Sequence, residues 1–322
     1  MHDVVAHDDM ETDVGLFDGI KKLFGGDGRK KPASAGKARK GSANRVDISK
    51  RFELRGRTGQ GSMSKVYQAY DSKLGRTVCL KLLDKEKTQK FEDRFKVQGL
   101  SKPGEGDISI GLKHPHVLTT YEHGVTLKGE PFLVMEWIEG LGLNYLIETH
   151  NAQLKGNRVD YLMQLAEAIM YLHGQKYLHR DLCPRNIMVT KEGVVKLIDF
   201  GLTVPYTPDY CRPGNRTGTA DYLAPEIIKR MTTDHRVDIF ALGVTAFEVL
   251  TGHLPWERSL SSEETLRRHL NTPPRNPKEL NQELDEEISA VLLKAIERDP
   301  KARFASARAF KEALDNLDRK DY

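Results

Sequence analysis

The sequence predicts an α+β protein, with short strands gathered in its N-terminal part and long helices in its C-terminal part. Three observations predict it. Runs at 51–56, 65–70 and 78–81, and an apolar run from 132 that ends at Gly140, read as strands. Residues 159–173 (VDYLMQLAEAIMYLH) carry apolar side chains at helical spacing, and 237–250 is apolar nearly all round, as a buried central helix should be. Between these helices, 187–190 and 194–198 are β-rich runs separated by Lys191-Glu192-Gly193, a hairpin signal.

At 322 residues the chain has room for one two-lobed domain or two small ones, each with a core. An apolar fraction of 39% and a charged fraction of 30% suit a soluble globular protein. A net charge of +4 is too small for this length to imply nucleic acid, and none is expected as a partner. Cys79, Cys183 and Cys211 are odd in number and lack metal-ligand spacing, which fits a reducing cytosol. No apolar run reaches the roughly 18–20 residues that span a bilayer. The N-terminus is acidic rather than basic, unlike a secretory signal. The chain reads as cytoplasmic.

Residues 1–49 read as an arm ahead of the folded part. Its first stretch, 1–13, is polar and acidic, a composition that stays disordered. Residues 14–24 (VGLFDGIKKLF) place Phe17, Ile20, Leu23 and Phe24 on one helical face beside Lys21 and Lys22, and Gly25-Gly26 stops the helix. A free helix this short is marginal in water, so its apolar face needs a partner. Three partners fit: another protein, the chain's own folded domain, or an anionic membrane surface. The membrane would also attract the basic linker that follows, with Arg29, Lys30, Lys31, Lys37, Arg39, Lys40 and Arg45. In that case the protein is peripheral at the membrane; otherwise the helix docks and the linker is solvated.

The chemistry concentrates in 177–201 (YLHRDLCPRNIMVTKEGVVKLIDFG). Its hairpin brings Asp181, Asn186 and Asp199 to one end. Two carboxylates and an amide there suit a divalent metal and a polyanion, because hard oxygen ligands hold Mg²⁺ while it bridges phosphates. His179-Arg180-Asp181 with Asn186, followed by Asp199-Phe200-Gly201, resembles the catalytic loop and metal-binding motif of eukaryotic-type (Hanks-type) Ser/Thr protein kinases. The resemblance covers about 50–318. It implies a bilobal protein-kinase fold: a small β-rich lobe with one helix over 50–137 and a larger, mainly helical lobe over 138–318.

Gly59-Gln60-Gly61-Ser62-Met63-Ser64-Lys65-Val66 resembles the family's glycine-rich loop, with Ser64 in place of the third glycine. Such glycines let backbone N–H groups close over phosphates. Lys81, ending the run Val78-Cys79-Leu80-Lys81, matches the phosphate-binding lysine, which needs a carboxylate partner. Counting back from His114-Pro115 puts Glu105 at the partner position, with Asp107 or Glu92 as alternatives. Glu105 sits among glycines, so its helix is expected to be weak in isolation. Ser109 falls where the family usually has an apolar residue. The resemblance makes Met135 the gatekeeper and gives adenine the backbone of Glu136 and Ile138. Val66, Cys79 and Met188 would sandwich the ring.

In the second lobe the resemblance makes Asp181 the base that accepts the substrate hydroxyl's proton. Asn186 and Asp199 become the ligands of Mg²⁺, or of Mn²⁺. His179 is expected to pack under the loop, and Arg180 to meet a phosphate or carboxylate of the activation segment. Cys183 departs from the pattern, since Ser/Thr kinases usually carry Lys there. Arg185 could reach in instead, and a reactive thiol at Cys183 is a further reading. Residues 218–226 (GTADYLAPE) have the Ser/Thr form of the segment's end. Thr203, Tyr206, Thr207, Tyr210 and Thr217 are candidate phosphosites, Thr217 and Thr207 foremost. Asp238 is expected to anchor the loop from below, and Arg303 to pair with Glu226.

The function implied is transfer of the γ-phosphoryl group of ATP to protein Ser/Thr hydroxyls, including the chain's own. A nucleotide-binding switch with weak catalysis is the alternative, favoured by the irregular Glu105 helix and Cys183. A small-molecule kinase is the third reading, disfavoured because the GTxxYxAPE loop holds an extended peptide.

Overall fold

The computed structural model describes residues 45–61, 64–96, 99–214, 216–259 and 261–322, with the backbone alone for 58–61. The expected helix at 14–24 and all of the basic linker but Arg45 lie outside the described residues.

The first lobe is an antiparallel sheet of five strands: β1 (Phe52–Gly61), β2 (Ser64–Asp71), β3 (Arg76–Leu83), β4 (Thr120–Val125) and β5 (Pro131–Glu136). Their order is β1-β2-β3-β5-β4. Alternation of side chains sorts each strand's residues between two faces. Val78 and Leu80 of β3 join Phe52, Ala69, Phe132 and Val134 in the lobe's own core. Cys79 and Lys81 therefore point the other way, and pairing sets Cys79 opposite Met135 and Lys81 opposite Val66. β1 and β2 run beyond the expected 51–56 and 65–70, through register shifts after Leu54 and Arg57.

A short helix, α1 (Ile48–Arg51), precedes β1. Its Arg51 guanidinium donates to Asp71 at 2.7 and 3.0 Å and to Glu122 at 2.7 and 3.0 Å, tying the strand ends together. Two helices follow β3: α2 (Lys85–Lys96) and α3 (Glu105–Ser109). α2 is polar or charged except for Phe91 and Phe95, one turn apart. These rings cluster with Leu178, Val204 and Cys211 of the second lobe. α3 is short, as its glycines lead one to expect. Gly106 is needed there, because a Cβ would lie 2.5 Å from the His123 ring of β4.

The second lobe contains α4 (Leu143–Glu148), α5 (Arg158–Gly174), α6 (Pro225–Ile228), α7 (Arg236–Thr251), α8 (Ser262–Asn271), α9 (Pro277–Leu280), α10 (Glu286–Ala295) and α11 (Ala307–Asp315). α7 is buried along almost its whole length, as its all-round apolar sequence requires. α5 starts one residue before the expected span and continues through Gly174, with Gln175 as the cap and Lys176 in the left-handed region. The strands are β6 (Gly140–Gly142), β7 (Tyr177–Leu178), β8 (Ile187–Thr190), β9 (Val195–Leu197) and β10 (Val204–Pro205). β8 and β9 form the expected hairpin, with Gly193 in the left-handed region at φ +79°. β6 crosses so close to β8 that a Cβ on Gly140 would sit 2.2 Å from the Val189 carbonyl oxygen.

The packed body reaches beyond the expected 50–318 at both ends. Val46 exchanges backbone hydrogen bonds at 3.0 Å with Val125 and Leu127. At the other end Tyr322 is buried, its carbonyl accepts from Gly156 N at 3.0 Å, and its hydroxyl donates to Asp285.

Candidate active site

β3 delivers Lys81 to the cleft between the lobes. Lys81 Nζ donates to Glu105 Oε1 at 2.7 Å and to Asp199 Oδ1 at 3.1 Å. Neither alternative partner takes the lysine. Asp107 instead accepts from the Gly104 amide at 3.1 Å and caps α3, while Glu92 lines the same cavity without an ion pair to Lys81. Burial pulls Lys81 down, but Asp199 and Glu105 outweigh it and hold the ammonium above its ordinary value. Burial pushes the Glu105 carboxyl up against the pull of Lys81. At Asp199 burial also pushes up, yet Lys81 and the Gly201 N–H at 2.9 Å hold the carboxyl below its usual range.

Asp181 follows a loop anchored from below. Asp238, fully buried in α7, accepts from the His179 and Arg180 amides at 2.9 Å each and lies 2.8 Å from His173 Nε2. These bonds hold Arg180 at φ +67°, a conformation that L residues seldom adopt. The His179 ring packs edge-on against Phe200, under the loop as expected. Arg180 does not reach the cluster. It is buried, lines neither cavity described below, and is lowered by burial, with Asp238 the carboxylate that offsets this most.

Both oxygens of Asp181 are held. Oδ1 accepts from Thr219 N and Oγ1 at 2.8 Å each, and Oδ2 from Asn186 Nδ2 at 3.0 Å. Sequence reasoning missed Thr219 as a site residue, although it stands in the GTADYLAPE stretch. Asn186 Nδ2 also donates to the Asp181 carbonyl at 2.8 Å, which leaves the amide oxygen for another ligand. Asp199 Oδ1 is shared by Lys81 and Gly201, and no described residue donates to Oδ2. Two hard oxygens are therefore available on residues that line one cavity. Among the described residues, no three His, Cys, Asp or Glu side chains converge as a metal-holding group.

Two cavities meet at this cluster. One, about 370 Å³, is lined by Ser64, Val66, Cys79, Met135, Ile138 and Met188, together with Lys81, Asn186 and Asp199. Glu136 also lines it, but its amide already donates to Thr119 O at 2.9 Å, so of its backbone only the carbonyl could meet a base. Gly59 and Gly61 pair with Val66 and Ser64 in the hairpin leading to this cavity. Arg185 is exposed and lines it too. The second cavity, about 230 Å³, shares Ser64, Lys81 and Asp199 with the first and adds Asp181, Glu105 and Lys102.

Cys183 faces neither. It is buried, and burial pushes its thiol up to about 11, with Asp181 adding to the effect, so it stays protonated. A reactive Cys183 is not what this environment makes. Of the candidate phosphosites, Thr203 and Thr217 are buried, whereas Thr207 is exposed. Arg303 donates to both Glu226 oxygens at 2.7 Å, the buried pair expected from the sequence.

Residues 52–314 match the family model described as the protein kinase domain. The chain belongs to the protein kinase family. Curated relatives agree. A probable serine/threonine-protein kinase of Clostridium acetobutylicum is 29% identical over 272 residues, 84% of this chain and 40% of that protein. The serine/threonine-protein kinase PknB of Mycolicibacterium smegmatis is 30% identical over 275 residues, covering 83% of this chain and 43% of its own. An Aurora kinase of Saccharomyces cerevisiae is 31% identical over 252 residues, 78% and 65% of the two chains. This kinase chain thus spans about two fifths of the length of the two bacterial relatives. Among its described residues, no helix is long and apolar enough to cross a membrane.

Proposed function

We propose that this kinase domain transfers the γ-phosphoryl group of ATP to serine or threonine hydroxyls of proteins, its own included. The observation that carries the reading is the convergence of Lys81, Asp181, Asn186 and Asp199 where the two cavities meet. The relatives' names and the GTADYLAPE stretch favour Ser/Thr over Tyr as acceptor.

The apolar cavity takes the adenine, between Val66, Cys79 and Met188 and against Met135, with the Glu136 carbonyl and the Ile138 backbone as its polar contacts. Lys81, kept charged and aimed by Glu105, binds phosphate oxygens beneath the loop that holds Gly59, Gly61 and Ser64. Asn186 Oδ1 and Asp199 Oδ2 would hold Mg²⁺, with Mn²⁺ as the alternative, and the metal would supply positive charge against the phosphates. Asp181 accepts the substrate hydroxyl's proton as the new oxygen–phosphorus bond forms and ADP leaves. Thr219 and Asn186 fix the Asp181 carboxylate for that role. Arg185, at the cavity wall, supplies a cation that Cys183 cannot.

The three cysteines are unpaired and the domain is assigned to the cytoplasm. The arm's helix would dock on a partner protein, on this domain or on an anionic membrane. A second reading, a nucleotide-binding switch with little transfer, draws on the five-residue α3 and the neutral thiol at 183. Incubation with γ-labelled MgATP, followed by phosphoamino-acid analysis, separates the two. Label on Ser or Thr that is lost in Asp181→Ala and Asp199→Asn supports transfer. Nucleotide binding without label supports the switch, and label persisting in Asp181→Ala refutes the assignment of the base.

A further inference from the structure

Lys102 lies between α2 and α3, and its side chain is spent on nothing described so far. The residue is 7% exposed, yet the side chain's one hydrogen bond among the described residues goes to the neighbouring Pro103 carbonyl at 3.2 Å. Its ammonium lies 5.6 Å from the centre of the Phe91 ring, and no described carboxylate is within 4.0 Å. An ammonium buried without a close counter-charge is costly, and among the described residues two of its three donors have no partner. Burial accordingly pushes its pKa down, against the longer-range pull of Glu105, Glu92, Asp199 and Asp107.

Its surroundings explain what such a group is for. Lys102 lines the 230 Å³ cavity, which joins the adenine-sized cavity through Ser64, Lys81 and Asp199. A nucleotide seated on Met135 and Met188 must send its phosphates past Lys81, and the end of that chain enters the space before Lys102. Lys81 already divides its charge between two carboxylates. An anion reaching further finds Lys102 as the next buried cation.

The stretch carrying Lys102 is also held in place. Tyr210 donates its hydroxyl to the Ser101 carbonyl at 2.7 Å, and Phe91 and Phe95 anchor α2 against Leu178, Val204 and Cys211. A charge held in position beforehand loses little freedom on binding.

We propose that Lys102 binds the terminal phosphate of a nucleoside triphosphate and makes the domain prefer triphosphate over diphosphate. The inference rests on the nucleotide reading above. Isothermal titration of the full chain with MgATP and MgADP tests it. Lys102→Met should weaken MgATP about tenfold, as loss of one charge-assisted hydrogen bond implies, and change MgADP less than about twofold. Lys102→Arg should keep most of the preference. Thermal stability of the Met variant should not fall, because an apolar group of similar volume replaces an unpaired buried charge. Equal weakening of both nucleotides, or no change in either, overturns the proposal while leaving nucleotide binding intact. A wild-type chain that binds neither nucleotide overturns the function proposed above, and this inference with it.

Discussion

Asp238→Asn is the change whose consequences the geometry predicts most closely. The carboxylate is fully buried and accepts backbone amides of His179 and Arg180 at 2.9 Å each, beside His173 Nε2 at 2.8 Å. Burial pushes its pKa up, but His173, His179 and the Arg180 amide hold it below the usual range. Asparagine preserves the shape and supplies one acceptor oxygen instead of two. Its best orientation keeps that oxygen toward His179 and His173, and sets its NH₂ against the Arg180 N–H. One charge-assisted bond disappears, worth about 1.5–3 kcal/mol, and a buried donor is left facing a donor. The strained φ of Arg180 then loses the amide bond that helps to hold it. We expect a loss of about 2–4 kcal/mol, or roughly 4–16 °C in Tm for a domain of this size. Asp181 follows Arg180 directly, so kcat should fall while nucleotide affinity, set by the first lobe and Lys81, changes little. Thermal and urea unfolding followed by circular dichroism, with steady-state label transfer, measure both. A stability change under about 1 kcal/mol with kcat intact would refute this account of the anchor.

Two other outcomes follow from the charged networks. Arg303→Leu leaves Glu226 buried and unpaired, and should cost about 3–5 kcal/mol in urea unfolding, with Arg303→Leu/Glu226→Leu recovering part of the loss; no recovery would mean that the lost packing of Arg303 over Phe240 dominates. In the first lobe, hydrogen bonds from Arg51 hold Glu122 down at about 2, and Arg51 also holds Asp71 below its usual range. Carboxylates with depressed folded values add stability above their unfolded pKa and lose it as pH falls through the folded one. Stability should therefore decline from about pH 4.5 toward 2, and Arg51→Met should flatten that decline. An unchanged acid limb in the mutant would assign the loss elsewhere.

Much of the fold was legible because the signals are local. The α7 sequence is apolar all round, so its burial could be read without knowing its neighbours. The hairpin of β8 and β9 shows its turn residues in place, and it joins two members of the cluster, Asn186 and Asp199. Position along the chain relative to His114-Pro115 pointed to Glu105 even though its helix is short. What escaped the reading depends on distant partners. Residues 85–96 show just two apolar side chains among charges, and their helix is anchored by residues more than eighty positions later. The reach of Thr219 to Asp181 spans 38 residues, and nothing in the spacing announces it.

Sequence alone therefore determined which chemical groups this kinase domain carries and the strands and helices with a clear local pattern, such as α5, α7 and the β8–β9 hairpin, because those rest on periodicity and turn chemistry within a few residues. Tertiary structure decided which groups meet. It gave Lys81 to Glu105 and Asp199 rather than to Glu92 or Asp107, turned Arg180 away from the cavities, and enclosed the thiol of Cys183. It also enclosed Lys102 with no carboxylate in close contact among the described residues. Burial and partnership are properties of packed surfaces far apart in the chain, and the cost of burying a charge takes its value only once those surfaces have closed.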